Sequence, residues 1–447
     1  MKHSTDKIRT THVGRLPTPP GFEEMAARLA RGEASDAEVR EKVVPVVAEV
    51  VKRQAEIGID CIGDGEFFSG LGAKWYDQQM TGLSARPLRS GEVAAMREST
   101  RERDVFTRLY ADMDRVGTIA CIPGERPIPR ATERIVVSGP VKSKGTAATL
   151  RQLDCFKAAL ARAGVAADET FVPALAPGWL DHFIYNEYYK TDEEFVYALA
   201  DAMSDKYRAI ADAGCILQID DPGIATSWDM LKPEPDLAAY RNYAELRIEA
   251  LNHALRGIAP EKVRYHWCWG SWHGAHVNDI PLQHILDIAL KVKAQTYSFE
   301  AANVRHEHEM ALWKAVKLAP GTILMPGVIS HATNIVEHPE LVERRLVDWA
   351  AIVGRENVVA GADCGMGGRV HGEIGWAKLG ALAQGAALAT KRLWQRPERP
   401  GGRSRPQMPQ RGYVNGPSTR PSLYRTTWAV IRPGGRRSRA VSRARSR

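Results

Sequence analysis

The chain is predicted to be an α/β protein built on a (β/α)8 barrel, and three observations point there. Eight short β-branched or apolar runs alternate with longer stretches of helical periodicity from residue 57 onward. A length of 447 residues accommodates one large barrel or two domains. Polar residues collect at the carboxyl ends of the runs, and a barrel brings those ends together on one face, where residues a hundred positions apart become neighbours.

Ahead of the first run, TTHVGRLPTPP joins Gly14 to a proline-rich continuation. It is read as an ordered N-terminal strap, outside the eight strands, that crosses the mouth of the barrel. The first strand, IDCIGDGE (59–66), ends at Glu66. Residues 67–133 are too long and too charged for a simple βα connection, which predicts a lid or hairpin inserted over the site. RIVVSGPV (134–141), TFVPALAP (170–177) and CILQIDDP (215–222) are the second to fourth strands, leading to Lys142 and carrying Asp220 and Asp221. The fifth to eighth are VRYHWCWG (263–270), TYSFEAAN (296–303), TILMPGVI (322–329) and NVVAGADCG (357–365). They bring His266 and Cys268, Glu300, and Asp363 with Cys364, while His331 follows the seventh. The helix in HPELVERRLVDWAAIVGR opens after a proline and ends at Gly354, and a closing helix ends at Trp394. The barrel domain is therefore placed at 1–394.

Residues 395–447 differ in kind. They carry fourteen arginines, no lysine and one acid, Glu398, a net +13 that turns an overall +8 into −5 for the body. Rich in Arg, Pro, Gly and Ser and without apolar periodicity, the segment is predicted to be a disordered basic tail. Its charge predicts weak, non-specific attraction to nucleic acid and no specific reading of sequence. No apolar signal region and no run of 18 apolar residues occurs, which predicts a cytoplasmic protein with no membrane partner. Six cysteines without close pairing argue against a disulfide framework and leave thiols for metal or catalysis.

RYHWCWG raises the chemical question. On a strand, His266 and Cys268 share one face and Trp267 and Trp269 the other. Alone, the pair is explained by packing, since free cysteine is among the most buried residue types. Within a barrel, Glu300 and Cys364 join it from two further strand ends, and one histidine, two thiolates and a carboxylate complete a tetrahedral zinc set. A structural zinc ion would use closely spaced ligands, so the spread over three strand ends favours a catalytic one. His306 and His308 in RHEHE do not share a helical face, and no second metal site is predicted from them. His273 and His276 lie in the loop after the metal strand, where His273 is a candidate substrate contact. No phosphate loop, dinucleotide fingerprint or Ser-His-Asp order appears.

The motifs TTHVGRLP, GDGE, SGPV, QIDDP, HWC, FEAAN, MPGV and GADCG, in this order over roughly residues 8–394, resemble the cobalamin-independent methionine synthase superfamily. The likeness is to its single-barrel branch, which also contains epoxyalkane:coenzyme M transferase. It implies a Zn2+ cofactor on His266, Cys268 and Cys364 with Glu300 as the labile fourth ligand, and Glu66 and Asp220 facing the amine of a homocysteine-like thiol. It places His331 near a proton-donating histidine, although the local match is imperfect. The implied activity is that of a zinc-dependent thiol S-alkyltransferase or methyltransferase acting through a metal-bound thiolate, with a small thiol and an alkyl donor as partners. Two alternatives stay open: thiol addition to an epoxide or other electrophile, and a non-catalytic zinc- or thiol-binding protein. Three departures matter. The length excludes a second barrel, Gly14-Arg15 stands where the family has Gly-Ser, and SGPVKSKG lacks the tryptophan expected against a folate ring. Gly14 and Arg15 are counted on the substrate side, and Arg15, Lys142 and Lys144 are candidates to meet an anionic donor or an acid-bearing thiol.

Overall fold

In the computed structural model, the described residues are 1–395 except 31–32, 69–75, 77, 117–130 and 272. The arginine-rich tail and part of the insertion lie outside them. Residues Met1–Arg396 form one compact unit.

Eight parallel strands make the barrel wall, in the order β1 (Arg9–Thr10), β11 (Val359–Ala362), β10 (Ile323–Ile329), β9 (Thr296–Phe299), β8 (Val263–Trp267), β7 (Ile216–Asp220), β5 (Glu169–Leu175), β2 (Cys61–Gly63). The Asp60 N–H donates to the Thr10 carbonyl at 3.0 Å and the Thr11 hydroxyl to the Cys61 carbonyl at 2.9 Å, so the two edges meet and the barrel is nearly closed. Helices cover the outside at Val44–Ile57, Ala147–Ala163, Asp192–Asp212, Leu237–Ala254, Pro339–Val353 and Gly372–Trp394. Their ends are local chemistry. Thr191 Oγ1 caps the Glu194 N–H at 3.1 Å, Asp236 Oδ1 caps Ala239 at 2.8 Å, and Pro339 opens the helix that stops at Gly354.

Two expectations about strands are corrected. The strap supplies a wall strand, β1, although two residues of it, Arg9 and Thr10, are too few and too polar to register as a strand. Residues 134–141 leave the barrel: β4 (Glu133–Val137) pairs antiparallel with β3 (Leu83–Pro87) from the insertion and parallel with β6 (Ile184–Asn186). The run RIVV has a strand's composition, but its partner lies some fifty residues back in a segment with no strand pattern, and pattern alone cannot choose between partners. The eightfold count survives because strap and exile exchange places.

The barrel interior holds a polar network centred on Arg264, which also stacks over Phe171 at 3.9 Å. Arg264 Nε donates to Gln218 Oε1 at 2.7 Å, and its terminal nitrogens donate to Thr11 Oγ1 at 3.1 Å and the His12 carbonyl at 3.0 Å. The Gln218 amide in turn donates to Asp220 Oδ1 at 2.7 Å. Strap, β7 and β8 are thereby locked below the mouth. Among the described residues no helix is long and apolar enough to cross a membrane.

Candidate metal centre

β8 ends at Trp267, and Cys268 follows it directly; Cys364 lies two residues past β11. The two sulfurs are 3.9 Å apart. One ligand atom from each of His266, Cys268 and Cys364 lies within 4.8 Å of the others. His266 accepts or donates through Nδ1 to Ser298 Oγ at 3.0 Å, which leaves Nε2 as a buried polar atom with no hydrogen-bond partner among the described residues. Trp267 turns to the opposite side and stacks on Phe299, ring centroids 5.1 Å apart, as strand alternation requires.

The geometry suits a metal. Two thiolates sharing a tetrahedral zinc ion at about 2.3 Å each would sit about 3.8 Å apart. The orphaned Nε2 is what a ligand nitrogen looks like when its other nitrogen is fixed by a neighbour, here Ser298. As the residues stand, the hydrogen bond between the sulfurs pushes the Cys268 thiol up and holds Cys364 down as thiolate, with burial opposing the second effect and His266 and His331 supporting it.

Glu300 stands beside this group in a second cluster with His331 and Asp363, whose ligand atoms also lie within 4.8 Å of one another. Its Oε1 accepts from the Trp269 N–H at 3.0 Å and its Oε2 from Asn303 at 2.6 Å. Burial, reinforced by Asp363, pushes its carboxyl up to about 8. Asp363 Oδ1 accepts two backbone N–H groups, from Ala301 and Ala302, both at 2.8 Å, which ties the loop after β9 to the loop after β11. A side chain at Gly327 would strike that same oxygen, so only glycine lets the tie form. His331 is buried, its Nδ1 has no hydrogen-bond partner among the described residues, and burial lowers it to about 4.

The mouth gathers the remaining predicted residues. Glu66 has φ 64°, held by its own N–H donating to Asp64 Oδ1 at 2.8 Å. Burial raises its carboxyl to about 8, with Asp64 and Cys364 adding to the effect and Arg15 and Arg369 opposing it. Asp220 is raised well above the usual carboxylate range by burial, by Glu66 and by Cys364. Gly14, at φ 126°, passes so close to Glu66 Oε1 that any side chain there would collide with it. The strap does cross the mouth: the Arg15 carbonyl accepts from the Met366 and Gly367 N–H groups at 2.9 and 3.1 Å, and the Leu16 N–H donates to Gly65 at 3.4 Å. His273 Nε2 lies 3.4 Å from the His331 carbonyl.

Other predicted residues fall outside this gathering. Lys142 and Lys144 are exposed, because the strand that would have carried them to the mouth belongs to the second sheet. His306 is held by Asp279 and Glu309, both at 2.9 Å, and stacks on Trp269 with centroids 3.6 Å apart, while His308 is exposed. One residue at the mouth went unread in the sequence, Arg369, whose Nη2 donates to Ser271 Oγ at 2.7 Å. Its only sequence signal is a position five residues after Cys364.

Comparison with known proteins adds an independent line. The family model described as "Cobalamin-independent synthase, Catalytic domain" matches residues 8–122. A 5-methyltetrahydropteroyltriglutamate–homocysteine methyltransferase from Thermotoga petrophila is 22% identical over 375 residues, covering 82% of this chain and 42% of that protein. The chain thus spans less than half the length of that relative. A methionine synthase from Saccharolobus islandicus is 22% identical over 400 residues, 86% of this chain and 96% of its own length. Among solved structures, a B12-independent methionine synthase from Shewanella sp. W3-18-1 in complex with selenomethionine superposes with TM-score 0.63 at 17% identity, over 87% of this chain and 99% of that one, and so shares the fold. Over residues 8–122 the chain thus resembles the catalytic domain of the cobalamin-independent synthases, and over most of its length it is similar, at low identity, to methionine synthases.

Proposed function

We propose that the chain is a zinc-dependent S-alkyltransferase that moves a methyl group from a donor to the sulfur of a small thiol such as homocysteine. One observation carries this reading: two enclosed sulfurs 3.9 Å apart beside an imidazole whose Nε2 has no hydrogen-bond partner among the described residues, a donor set suited to a thiophilic divalent ion. His266, Cys268 and Cys364 would hold zinc, with Glu300 as the fourth and most readily displaced ligand. Bound there, zinc supplies the charge that lowers a substrate thiol's pKa and keeps it nucleophilic. The names of the Thermotoga and Saccharolobus relatives, a homocysteine methyltransferase and a methionine synthase, support the same chemistry.

The chain's own side chains have separable tasks. Glu66 and Asp220, both raised by burial, with the charge of Glu66 adding to the rise at Asp220, form a place that an ammonium group relieves, since a cation between them favours the ionised form of both. Gly14 keeps that place open by leaving room for Glu66. Arg15 acts on Glu66 from the strap, and His273 lies beside His331. His331, held neutral by burial, offers a hydrogen bond to the atom from which the methyl group departs. In the balance, the donor–methyl bond breaks, a sulfur–carbon bond forms, and the donor leaves with the proton.

The test is product formation. Zinc-loaded protein incubated with homocysteine and a panel of methyl donors should yield methionine, read by mass spectrometry, and Cys364→Ala should abolish it. Absence of any methylated thiol across the panel would sink the transferase reading. A thioether formed from an epoxide instead would replace it with addition chemistry.

A further inference from the structure

We infer that Arg369 recognises the acid group of the thiol substrate, a carboxylate or a sulfonate, and so selects acid-bearing thiols; this rests on the thiol-site reading above. Arg369 spans the mouth between the loops that follow the two cysteine-bearing strands. On one side its loop is fastened to the strap through the Arg15 carbonyl, and a side chain at Gly367 would collide with the Leu16 carbonyl. On the other its Nη2 reaches Ser271 Oγ at 2.7 Å, three residues past Cys268. The guanidinium is therefore held over the site by two fixed walls.

What it lacks is an anion. Nε is buried and without a hydrogen-bond partner among the described residues, and Nη1 reaches only the Gly368 carbonyl at 3.4 Å. Two other enclosed arginines are paired with acids, Arg247 with Asp181 at 2.5 Å and Asp192 at 3.0 Å, and Arg345 with Glu307 at 2.8 Å, while Arg264 is satisfied by Gln218, Thr11 and the His12 carbonyl. No carboxylate among the described residues forms an ion pair with Arg369. Its charge is nonetheless felt by Glu66, His273 and His331, the groups that ring the mouth. A desolvated guanidinium edge facing a site is a fork for a planar or tetrahedral oxyanion.

The substrate's geometry completes the case. A thiol whose sulfur enters the cysteine cup and whose ammonium lies between Glu66 and Asp220 has one polar group left, its acid. Lys142 and Lys144, the other cations considered from the sequence, are exposed, in contrast to the buried Nε of Arg369. Arg369 is the cation on the metal side, and Arg15, whose charge also acts on Glu66, is the one on the strap.

The test uses the zinc-loaded full chain and titration calorimetry with three probes: homocysteine, 3-mercaptopropylamine, which is homocysteine without its carboxylate, and 2-mercaptoethanesulfonate. Arg369→Gln should weaken homocysteine or 2-mercaptoethanesulfonate, whichever the wild type binds more tightly, roughly tenfold to a hundredfold, the usual worth of a hydrogen bond to a charged group. Binding of 3-mercaptopropylamine should change less than about twofold, which also shows that the variant is folded and its metal cup intact. Arg369→Lys should fall between the two. Equal weakening of acid-bearing and acid-free thiols would overturn the inference and leave Arg369 a structural brace, as would no weakening of either. Failure of every thiol to bind the wild-type protein would instead sink the thiol-site reading, and this inference with it.

Discussion

At the scale of single residues, the site is defined by what its atoms lack. Among the described residues, Nε2 of His266 and Nδ1 of His331 are buried polar atoms without hydrogen-bond partners, a condition that costs stability unless a ligand repays it. Purified protein should hold about one zinc per chain, the stoichiometry of a single tetrahedral site, and Cys268→Ala or Cys364→Ala should lose most of it. Metal analysis decides this, and full occupancy in both variants would refute the ligand assignment. His306 is a different case, fully partnered. Burial works against its charge, yet hydrogen bonds to Asp279 and Glu309 raise it from 6.5 to about 9. A histidine raised on folding stabilises fully below its unfolded pKa and loses that contribution as pH climbs through the folded value. His306→Gln should therefore be less stable than wild type below pH 6.5, by on the order of 2 kcal/mol, with the gap closing toward pH 9. Melting curves of both proteins across that range give the answer, and a gap that does not change with pH would contradict a charged His306.

At the scale of elements, the insertion after β2 is tied to the site by one carboxylate. Glu102 lies on the short helix Glu102–Val105 and is 1% exposed. It accepts the Ala275 N–H at 3.1 Å and the Val277 N–H at 2.9 Å, and the Tyr110 hydroxyl donates to it as well. Its own N–H donates to Asp229 at 3.2 Å, so the insertion, the helix after β7 and the loop after β8 meet at one point. That loop carries His273. Glu102→Ala would strand two backbone N–H groups at a cost of about 1–3 kcal/mol. Hydrogen exchange at residues 273–279 should accelerate well beyond that of the barrel strands. Unchanged exchange in this loop would show that Glu102 does not hold it. The insertion was legible as a long charged segment, whereas its fastening was not, because Glu102 in RESTRERD looks like any solvated acid until the β8 loop folds onto it.

At the scale of the whole molecule, truncation after Trp394 should leave zinc content, melting temperature and turnover within error of the full chain, since 395–447 offers no periodic apolar face to pack on a barrel. Loss of turnover or aggregation of the truncated protein would show that those residues belong to the working fold. The amino-acid order by itself determined the barrel, through the alternation of apolar runs with helical periodicity, and determined which residues end the strands, including His266, Cys268, Glu300 and Cys364. Both are local properties: periodicity and spacing are written in consecutive residues. Only the tertiary structure decided that the two residues Arg9 and Thr10 complete the wall, that 134–141 is exiled to a second sheet, that Glu300 rests on Trp269 and Asn303, and that Arg369 reaches Ser271 across the mouth. Each of these is a choice of partner made between segments far apart in the chain. Hydrogen bonds and close approach settle such choices in space, where short-range pattern carries no trace of them.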